Sequence, residues 1–163
     1  MVLSGRALAI VVVLVIALFA GYAIYETSVG PGSVTTTVPS SFTVNGRTFA
    51  FTYVATTQQG RTSGLMNRKV TNTTTMLFVF PTSGKWAFWM YDTNTSLDMV
   101  WVSAAGDSGT VVYVVAGAQP CFDTLGFGCP TYAPDKPANY VIEAAAGFAA
   151  ASGITDGTPI LFG

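Results

Sequence analysis

A series of short alternating segments constrains the fold of this chain more than any other feature. Asn45-Gly46 lies between two runs in which apolar and polar residues alternate, which is the strongest short-range signal for a β-hairpin. The alternation continues through Phe49–Val54. Further segments rich in β-branched and aromatic residues follow between short turns: Thr75–Phe80, Trp86–Met90, Met99–Ser103, Thr110–Val115, Tyr140–Glu143 and Pro159–Phe162.

Seven or eight short strands predict a mainly β fold, with a single sandwich- or barrel-like β domain over residues 41–163. One short helix is predicted at Ala144–Ser152, since its alanines favour a helix and Gly153 can end it.

The N-terminal region has a different character. An uncharged, mostly aliphatic stretch runs from Ala7 to Tyr25, and as a helix it is long enough to cross the roughly 30 Å core of a bilayer. Arg6 precedes the stretch, so the positive-inside rule predicts an N-in, single-pass anchor in residues 1–26. The alternative is a signal peptide cleaved after Gly21-Tyr-Ala23, but the apolar run exceeds the usual length.

Residues 27–40 are rich in Gly, Pro, Thr and Ser and predict a linker. The β domain is therefore expected outside the cell membrane, or secreted if the apolar segment is cleaved.

Charge and composition exclude several function classes. Only 9% of the residues are charged and the net charge is −1, so the chain lacks the basic surface that nucleic-acid binding requires. The sequence contains no histidine, which rules out Ser-His-Asp and Cys-His nucleophile systems. Catalysis by carboxylates alone stays open, and no cofactor or metal is predicted.

Four motifs together carry a family resemblance. They are Arg61-x-x-Gly-Leu-Met-x-Arg68, Met76–Phe80, Phe88-Trp-Met90 with Thr93 and Leu97-Asp98, and a C-terminal set formed by Val141, Glu143, Gly147, Gly153, Ile154 and Gly157. In this order they resemble the family called domain of unknown function 192 (DUF192), over residues 45–162. The resemblance implies a mostly β, sandwich-like fold, often with an N-terminal membrane or export segment, and no established activity. The chain departs from the family pattern at Asp92, where Asn is usual, and at Thr158, where Asp is usual.

Arg61, Arg68 and Lys69 concentrate positive charge in a chain with few cations. Guanidinium groups can form two parallel hydrogen bonds to a carboxylate or phosphate, so one interpretation is an anion pocket. The favoured alternative is that these cations pair with Asp92, Asp98 or Glu143 and hold loops to the sheet.

An aromatic concentration follows at Trp86, Phe88, Trp89, Tyr91 and Trp101. Strand alternation sends Trp86, Phe88 and Met90 to one face and Ala87, Trp89 and Tyr91 to the other. Core on both faces is the favoured interpretation; an exposed second face could stack on sugar rings or on a partner.

Acidic residues suggest two less favoured chemistries. Asp92-x-Asn94-x-Ser96-x-Asp98 has the oxygen spacing of a calcium loop, but it has Leu97 where an EF-hand requires glycine and Ser103 where it requires glutamate. Asp98 and Glu143 are considered as a carboxylate pair for hydrolysis.

Cys121 and Cys129 bracket a short glycine-containing loop, and in an exported domain they predict a disulfide. Asn72-Thr-Thr74 and Asn94-Thr-Ser96 are possible glycosylation sites, which would make the chain a glycoprotein in a glycosylating organism.

The sequence therefore predicts a membrane-anchored, extracytoplasmic, non-catalytic binding or envelope-associated module. Its expected ligand is a small anion, a glycan or an envelope protein. The proposed ligand-binding residues are Arg61, Arg68, Trp89, Asp92, Asp98 and Glu143. The alternatives are a structural subunit that self-assembles through exposed strands and, less favoured, a carboxylate-dependent hydrolase.

Overall fold

A computed structural model describes residues 37–123 and 127–163. The predicted membrane anchor and most of the predicted linker lie outside these residues. Within the described ranges, no helix has the length and apolar character needed to cross a membrane.

The described chain forms ten strands and two short helices. The helices are α1 (Gln58–Ser63) and α2 (Phe148–Ser152). The strands are β1 (Ser41–Val44), β2 (Arg47–Ala50), β3 (Tyr53–Ala55), β4 (Thr75–Gly84), β5 (Phe88–Trp89), β6 (Leu97–Ala105), β7 (Ser108–Ala118), β8 (Thr131–Tyr132), β9 (Ala138–Ala145) and β10 (Pro159–Phe162).

Eight strands form one sheet in the order β2-β1-β10-β7-β6-β9-β4-β3, and β5 and β8 pair separately. Neighbouring strands are antiparallel except for β3 and β4, which are parallel. The sheet curves into a half-barrel with β2 and β3 at its two edges. The predicted β domain is confirmed, and its architecture is an open half-barrel.

Both faces of this sheet are buried, each in its own core. The first core includes Phe42, Leu77, Val100, Ile142 and Ile160 and lies on the face that carries α2. The second core includes Leu65, Phe78, Met90, Met99 and Trp101. Adjacent residues of one strand supply opposite cores, as Leu77 and Phe78 do, because side chains alternate along a strand.

The predicted hairpin is present, with Asn45 and Gly46 both at positive φ between β1 and β2. The continuous strand predicted over Phe49–Val54 is wrong, because β2 ends at Ala50 and β3 begins at Tyr53. Here the chain passes from one edge of the sheet to the other. Thr75 holds the crossing by donating from Oγ1 to the Ala50 carbonyl at 2.7 Å.

The predicted helix begins later than expected, at Phe148, because β9 stays paired with β6 as far as Ala145. It ends at Gly153 with φ 68°, as predicted. Helix α1 was not predicted. Thr57 caps its N-terminus by accepting a hydrogen bond from the Gly60 N–H at 3.1 Å.

The predicted disulfide is confirmed between Cys121 and Cys129. It closes the loop that leads from β7 to β8.

Candidate functional site

Glu143 is a buried acid in the middle of the sheet. Strand β9 places it between Met76 of β4 and Met99 of β6, and only 4% of its surface is exposed. Among the described residues, its carboxyl forms no hydrogen bond or ion pair. Burial raises the pKa of Glu143 from 4.5 to about 8, so the carboxyl is protonated in the folded protein at neutral pH.

The carboxyl faces a small cavity of about 30 Å³, here called the Glu143 cavity. The end of α1 and the following turn line it, and a Cβ placed on Gly64 would lie 3.9 Å from Glu143 Oε2. The cavity is large enough for a water molecule or one hydroxyl group. Its walls also include Thr62, Ser63, Leu65, Met66, Phe78, Phe88, Trp89 and Thr93.

An open groove of about 480 Å³, here called the aromatic groove, adjoins this cavity. The two share four lining residues: Arg61, Thr62, Phe88 and Trp89. The rest of the groove is formed by Gln58, Phe80, Pro81, Trp86 and Ala87. A buried polar cavity therefore lies beside a larger aromatic surface.

Trp89 is the exposed aromatic residue at this junction, with 39% of its surface accessible. Its ring centroid lies 5.3 Å from that of the half-buried Tyr91, and the two ring planes are inclined by 35°. Phe88 and Met90 point the other way and are buried in the second core. The predicted alternation is present, and the favoured expectation of core on both faces is wrong for Trp89.

Arg61 lines both the Glu143 cavity and the aromatic groove without pairing with an acid. Its Nη1 donates to the backbone carbonyls of Thr56 at 2.7 Å and Val79 at 2.8 Å. Its guanidinium also packs over the Phe80 ring, 5.2 Å from the centroid. Arg61 thus links α1 to β4, and its guanidinium is hydrogen-bonded to backbone carbonyls instead of being paired with an acid.

Arg68 lies elsewhere, in a shallow depression with Lys69 and Asn94. Its Nε donates to the Gly64 carbonyl at 3.1 Å, and its guanidinium lies 4.4 Å from the centroid of the Tyr53 ring. The cations therefore do not converge on one anion pocket. They also form no ion pair with Asp92, Asp98 or Glu143 in the described chain, where the ion pair present joins Lys136 and Asp156.

Asp98 is structural. It is fully buried, and its carboxylate accepts hydrogen bonds from the Gly117 N–H and the Ala149 N–H, both at 2.8 Å. Asp98 thereby holds β7 and the first turn of α2. Because Met99 is paired with Glu143 across β6 and β9, Asp98 points to the opposite face of the sheet from Glu143. The two acids do not form the carboxylate pair considered from the sequence.

Asp92 acts through its backbone. Its carbonyl accepts from the Asn67 N–H at 2.8 Å, and its own N–H donates to the Cys121 carbonyl at 3.0 Å. Its φ is 50°, a conformation that Asn and Asp adopt more easily than other side chains. This explains why Asp can replace the Asn usual in the family.

No group of three metal-ligating side chains occurs in the described ranges.

Thr158 is the second position at which the chain departs from the family pattern. It closes a turn by accepting a hydrogen bond from the Thr155 N–H at 2.9 Å. Asn72 and Asn94 are both exposed, and their glycosylation stays a prediction.

Sequence reasoning overlooked Gly64 and Thr93 as site residues. The signal for Gly64 was present in the Gly-Leu-Met motif, since a glycine is required where the backbone has a positive φ and approaches another group closely. Thr93 belongs to the third family motif, but its place in the wall of the cavity depends on tertiary packing that the motif does not reveal.

Two crystal structures are similar to this fold. One is a protein of unknown function from Novosphingobium aromaticivorans, 27% identical, with a TM-score of 0.61 over 76% of this chain and 83% of that chain. The other, from Sinorhizobium meliloti, is described as a candidate transcription regulator; it is 26% identical, with a TM-score of 0.62 over 75% of this chain and 90% of that chain.

No curated protein matches the chain. The family profile that matches is DUF192, described as uncharacterized ACR, and the match covers residues 41–162. Because this match spans most of the sequence, the protein belongs to the DUF192 family.

Proposed function

We propose that this chain is a non-catalytic binding module that recognises a neutral, hydroxyl-bearing ring, as found in a glycan. In this proposal Trp89 stacks on the face of the ring, and one hydroxyl enters the Glu143 cavity. The observation that carries it is a buried carboxyl without a protein partner beside an exposed tryptophan.

The protonation state of Glu143 favours a neutral ligand. A carboxylic acid can donate one hydrogen bond and accept others, which suits a hydroxyl group. Arg61 lines the same cavity, but its Nη1 already donates to two backbone carbonyls and its guanidinium packs over the Phe80 ring, so fewer of its N–H groups are left to offset the lost hydration of an anion. The small anion expected from the sequence is therefore less well supported than the glycan.

The surroundings of the cavity suit a sugar. Tryptophan faces stack on apolar ring surfaces, and Trp89 offers a partly exposed ring in the wall of the aromatic groove. The amide of Gln58 lies on the rim of the aromatic groove and can hydrogen-bond to further hydroxyls. Hydrolysis is less well supported, since Glu143 is the one carboxylate among the described residues that line the cavity and groove.

The binding test is calorimetry of the full chain with neutral oligosaccharides selected on a glycan array. Trp89→Ala is expected to weaken binding about tenfold through lost stacking. Glu143→Gln should retain binding, because an amide also donates and accepts. Glu143→Leu should abolish it while keeping the fold, since Met76 and Met99 already give this position apolar neighbours.

A control is Leu161→Ala, which removes an exposed apolar side chain on β10 that lines neither the Glu143 cavity nor the aromatic groove. It should leave the affinity unchanged. Equal affinities for wild type, Trp89→Ala and Glu143→Leu would contradict the proposal.

We further propose that residues 1–26 anchor the domain at the outer face of the cell membrane. The uncharged stretch Ala7–Tyr25 and the disulfide, a bond typical of exported proteins, support this location. Protease added to intact cells should remove a C-terminal tag while the N-terminus stays protected. A protected C-terminal tag would contradict the proposed orientation.

Self-assembly is the second candidate. The unpaired edges of β2 and β3 favour it, since an open edge can add a strand from another chain. A concentration-independent monomer by light scattering would argue against it.

A further inference from the structure

A second groove, of about 780 Å³, lies beside α2 and is here called the α2 groove. Its aromatic residues pack against the first core, on the opposite face of the sheet from Glu143. It shares no lining residue with the Glu143 cavity or the aromatic groove. The function proposed above does not use it.

Three half-buried phenylalanines form the apolar wall of the α2 groove. Phe49 and Phe148 meet edge to face with centroids 4.9 Å apart, and Phe51 stacks on the buried Phe42 at 5.1 Å. The rings of Phe49, Phe51 and Phe148 are partly exposed although each packs against core residues. An apolar ligand would bury their remaining surface.

The charge that lines the α2 groove is of one sign, positive. Arg47 is the one charged residue among the described residues that line it, and no carboxylate is present to neutralise it. Its Nη1 donates to the Ala151 carbonyl at 2.9 Å, and its guanidinium lies 5.0 Å from the centroid of the Phe49 ring. Its other N–H groups have no acceptor in the described chain, so they can receive an anion.

Ser152 also lines the α2 groove, and only 4% of it is exposed. Its Oγ has almost no accessible surface and no hydrogen-bond partner within the described ranges. Buried hydroxyls are normally paired, but a ligand in the groove could reach this one only after a local rearrangement. Arg47 is bonded to Ala151, the neighbour of Ser152, which brings the two polar groups to the same end of α2.

We propose that the α2 groove is a second binding site, for a monocarboxylate with an aromatic or short aliphatic body. The body lies against the three phenylalanine rings, and the carboxylate meets the free N–H groups of Arg47. This charge pattern distinguishes the ligand from the neutral one proposed for the Glu143 cavity.

The test is calorimetry of the full chain with 2-naphthoate and with its neutral counterpart, naphthalene-2-methanol. The carboxylate should bind with one-to-one stoichiometry and about tenfold more tightly than the alcohol, because a charge-assisted hydrogen bond is added. Failure of 2-naphthoate to bind, or equal affinity for the two compounds, would overturn the proposal without any variant being needed.

Variants locate the site. Arg47→Gln should remove the preference for the carboxylate, whereas Arg47→Lys should retain most of it. Lys136→Gln, which removes an exposed cation elsewhere, should leave the preference unchanged.

The two proposed sites are separable in the same assay. Glu143→Leu should leave 2-naphthoate binding unchanged even if it abolishes oligosaccharide binding. Loss of 2-naphthoate binding in Glu143→Leu, or an equal loss in Arg47→Gln and Lys136→Gln, would overturn the assignment to the α2 groove.

Discussion

The burial of Glu143 should make the free energy of unfolding of this protein depend on pH. Its pKa is about 8 in the folded protein against 4.5 when unfolded, so the folded state binds the proton more tightly. The free energy of unfolding should therefore fall as pH rises from 4.5 to about 8, at about 1.4 kcal/mol per pH unit, and then level off.

Urea denaturation of wild type and Glu143→Gln at several pH values measures this dependence. The glutamine cannot ionise, so the difference between the two proteins isolates the contribution of Glu143. Glu143→Gln should become the more stable protein relative to wild type as pH increases. Parallel curves for the two proteins would show that Glu143 ionises normally.

Unlike Glu143, Asp98 has a structural role, because each of its two carboxylate oxygens accepts a hydrogen bond from a backbone N–H. Asp98→Ala leaves the N–H groups of Gly117 and Ala149 without their acceptor and should lower the free energy of unfolding by about 3 kcal/mol. Asp156→Ala removes an exposed acid and its ion pair with Lys136, and should cost under about 1 kcal/mol. Similar losses in the two variants would disprove the assigned role of Asp98.

At the scale of elements, the turn after α1 determines how closely the chain approaches Glu143. Gly64 has φ 45°, and a Cβ there would lie 3.3 Å from the Phe78 ring. Gly64→Ala should therefore destabilise the protein by about 2–3 kcal/mol through backbone strain and crowding together.

Gly106 provides the matched control, because its φ is 59° but nothing lies within 4 Å of a Cβ placed there. Gly106→Ala should show the backbone strain alone, about 1 kcal/mol. Thermal unfolding of both variants gives the comparison. A Gly106→Ala variant as unstable as Gly64→Ala would mean that close packing under α1 contributes little.

Strands with clear alternation were predictable, while features that depend on distant pairing were not. The hairpin at Asn45-Gly46 was found because its signal is local. The break between β2 and β3 was missed because residues 49–54 alternate evenly, and only the crossing between sheet edges interrupts them. Helix α1 was missed because Gln58–Ser63 includes a glycine and buries no residue, so it shows no apolar stripe.

The candidate site was predicted in part for the same reason. Glu143, Trp89 and Arg61 were named from their residue types and motifs, and all three line the Glu143 cavity. The roles of Arg68 and Asp98 were not predictable, because they depend on the register of strands and turns far apart in sequence. The alternation of Trp89 and Phe88 was visible in the sequence, but which face would be covered was not.

For the molecule as a whole, the disulfide between Cys121 and Cys129 links the two ends of the loop between β7 and β8. Reduction should lower the free energy of unfolding by about 2–3 kcal/mol, because it frees the short loop in the unfolded chain. Thiol counting in denaturant should give no free thiol before reduction, and a Cys121→Ser/Cys129→Ser variant should match the reduced protein. Free thiols before reduction would contradict the bond.

The burial of both sheet faces leaves two separate concave surfaces, one on each side. The Glu143 cavity and aromatic groove open on the second-core face, and the α2 groove opens on the first-core face. The two proposed sites therefore lie on opposite faces of the sheet and share no lining residue. The neutral state of Glu143 is central to this account, because it determines the class of ligand on its side.

The most direct test is an NMR titration of the ¹³C-labelled side-chain carboxyl of Glu143 in the folded full chain. We expect a transition near pH 8 and a carboxyl signal of the protonated form at neutral pH. A bound neutral oligosaccharide should shift this signal. A transition near the ordinary value of 4.5, with an ionised carboxyl at neutral pH, would contradict the account.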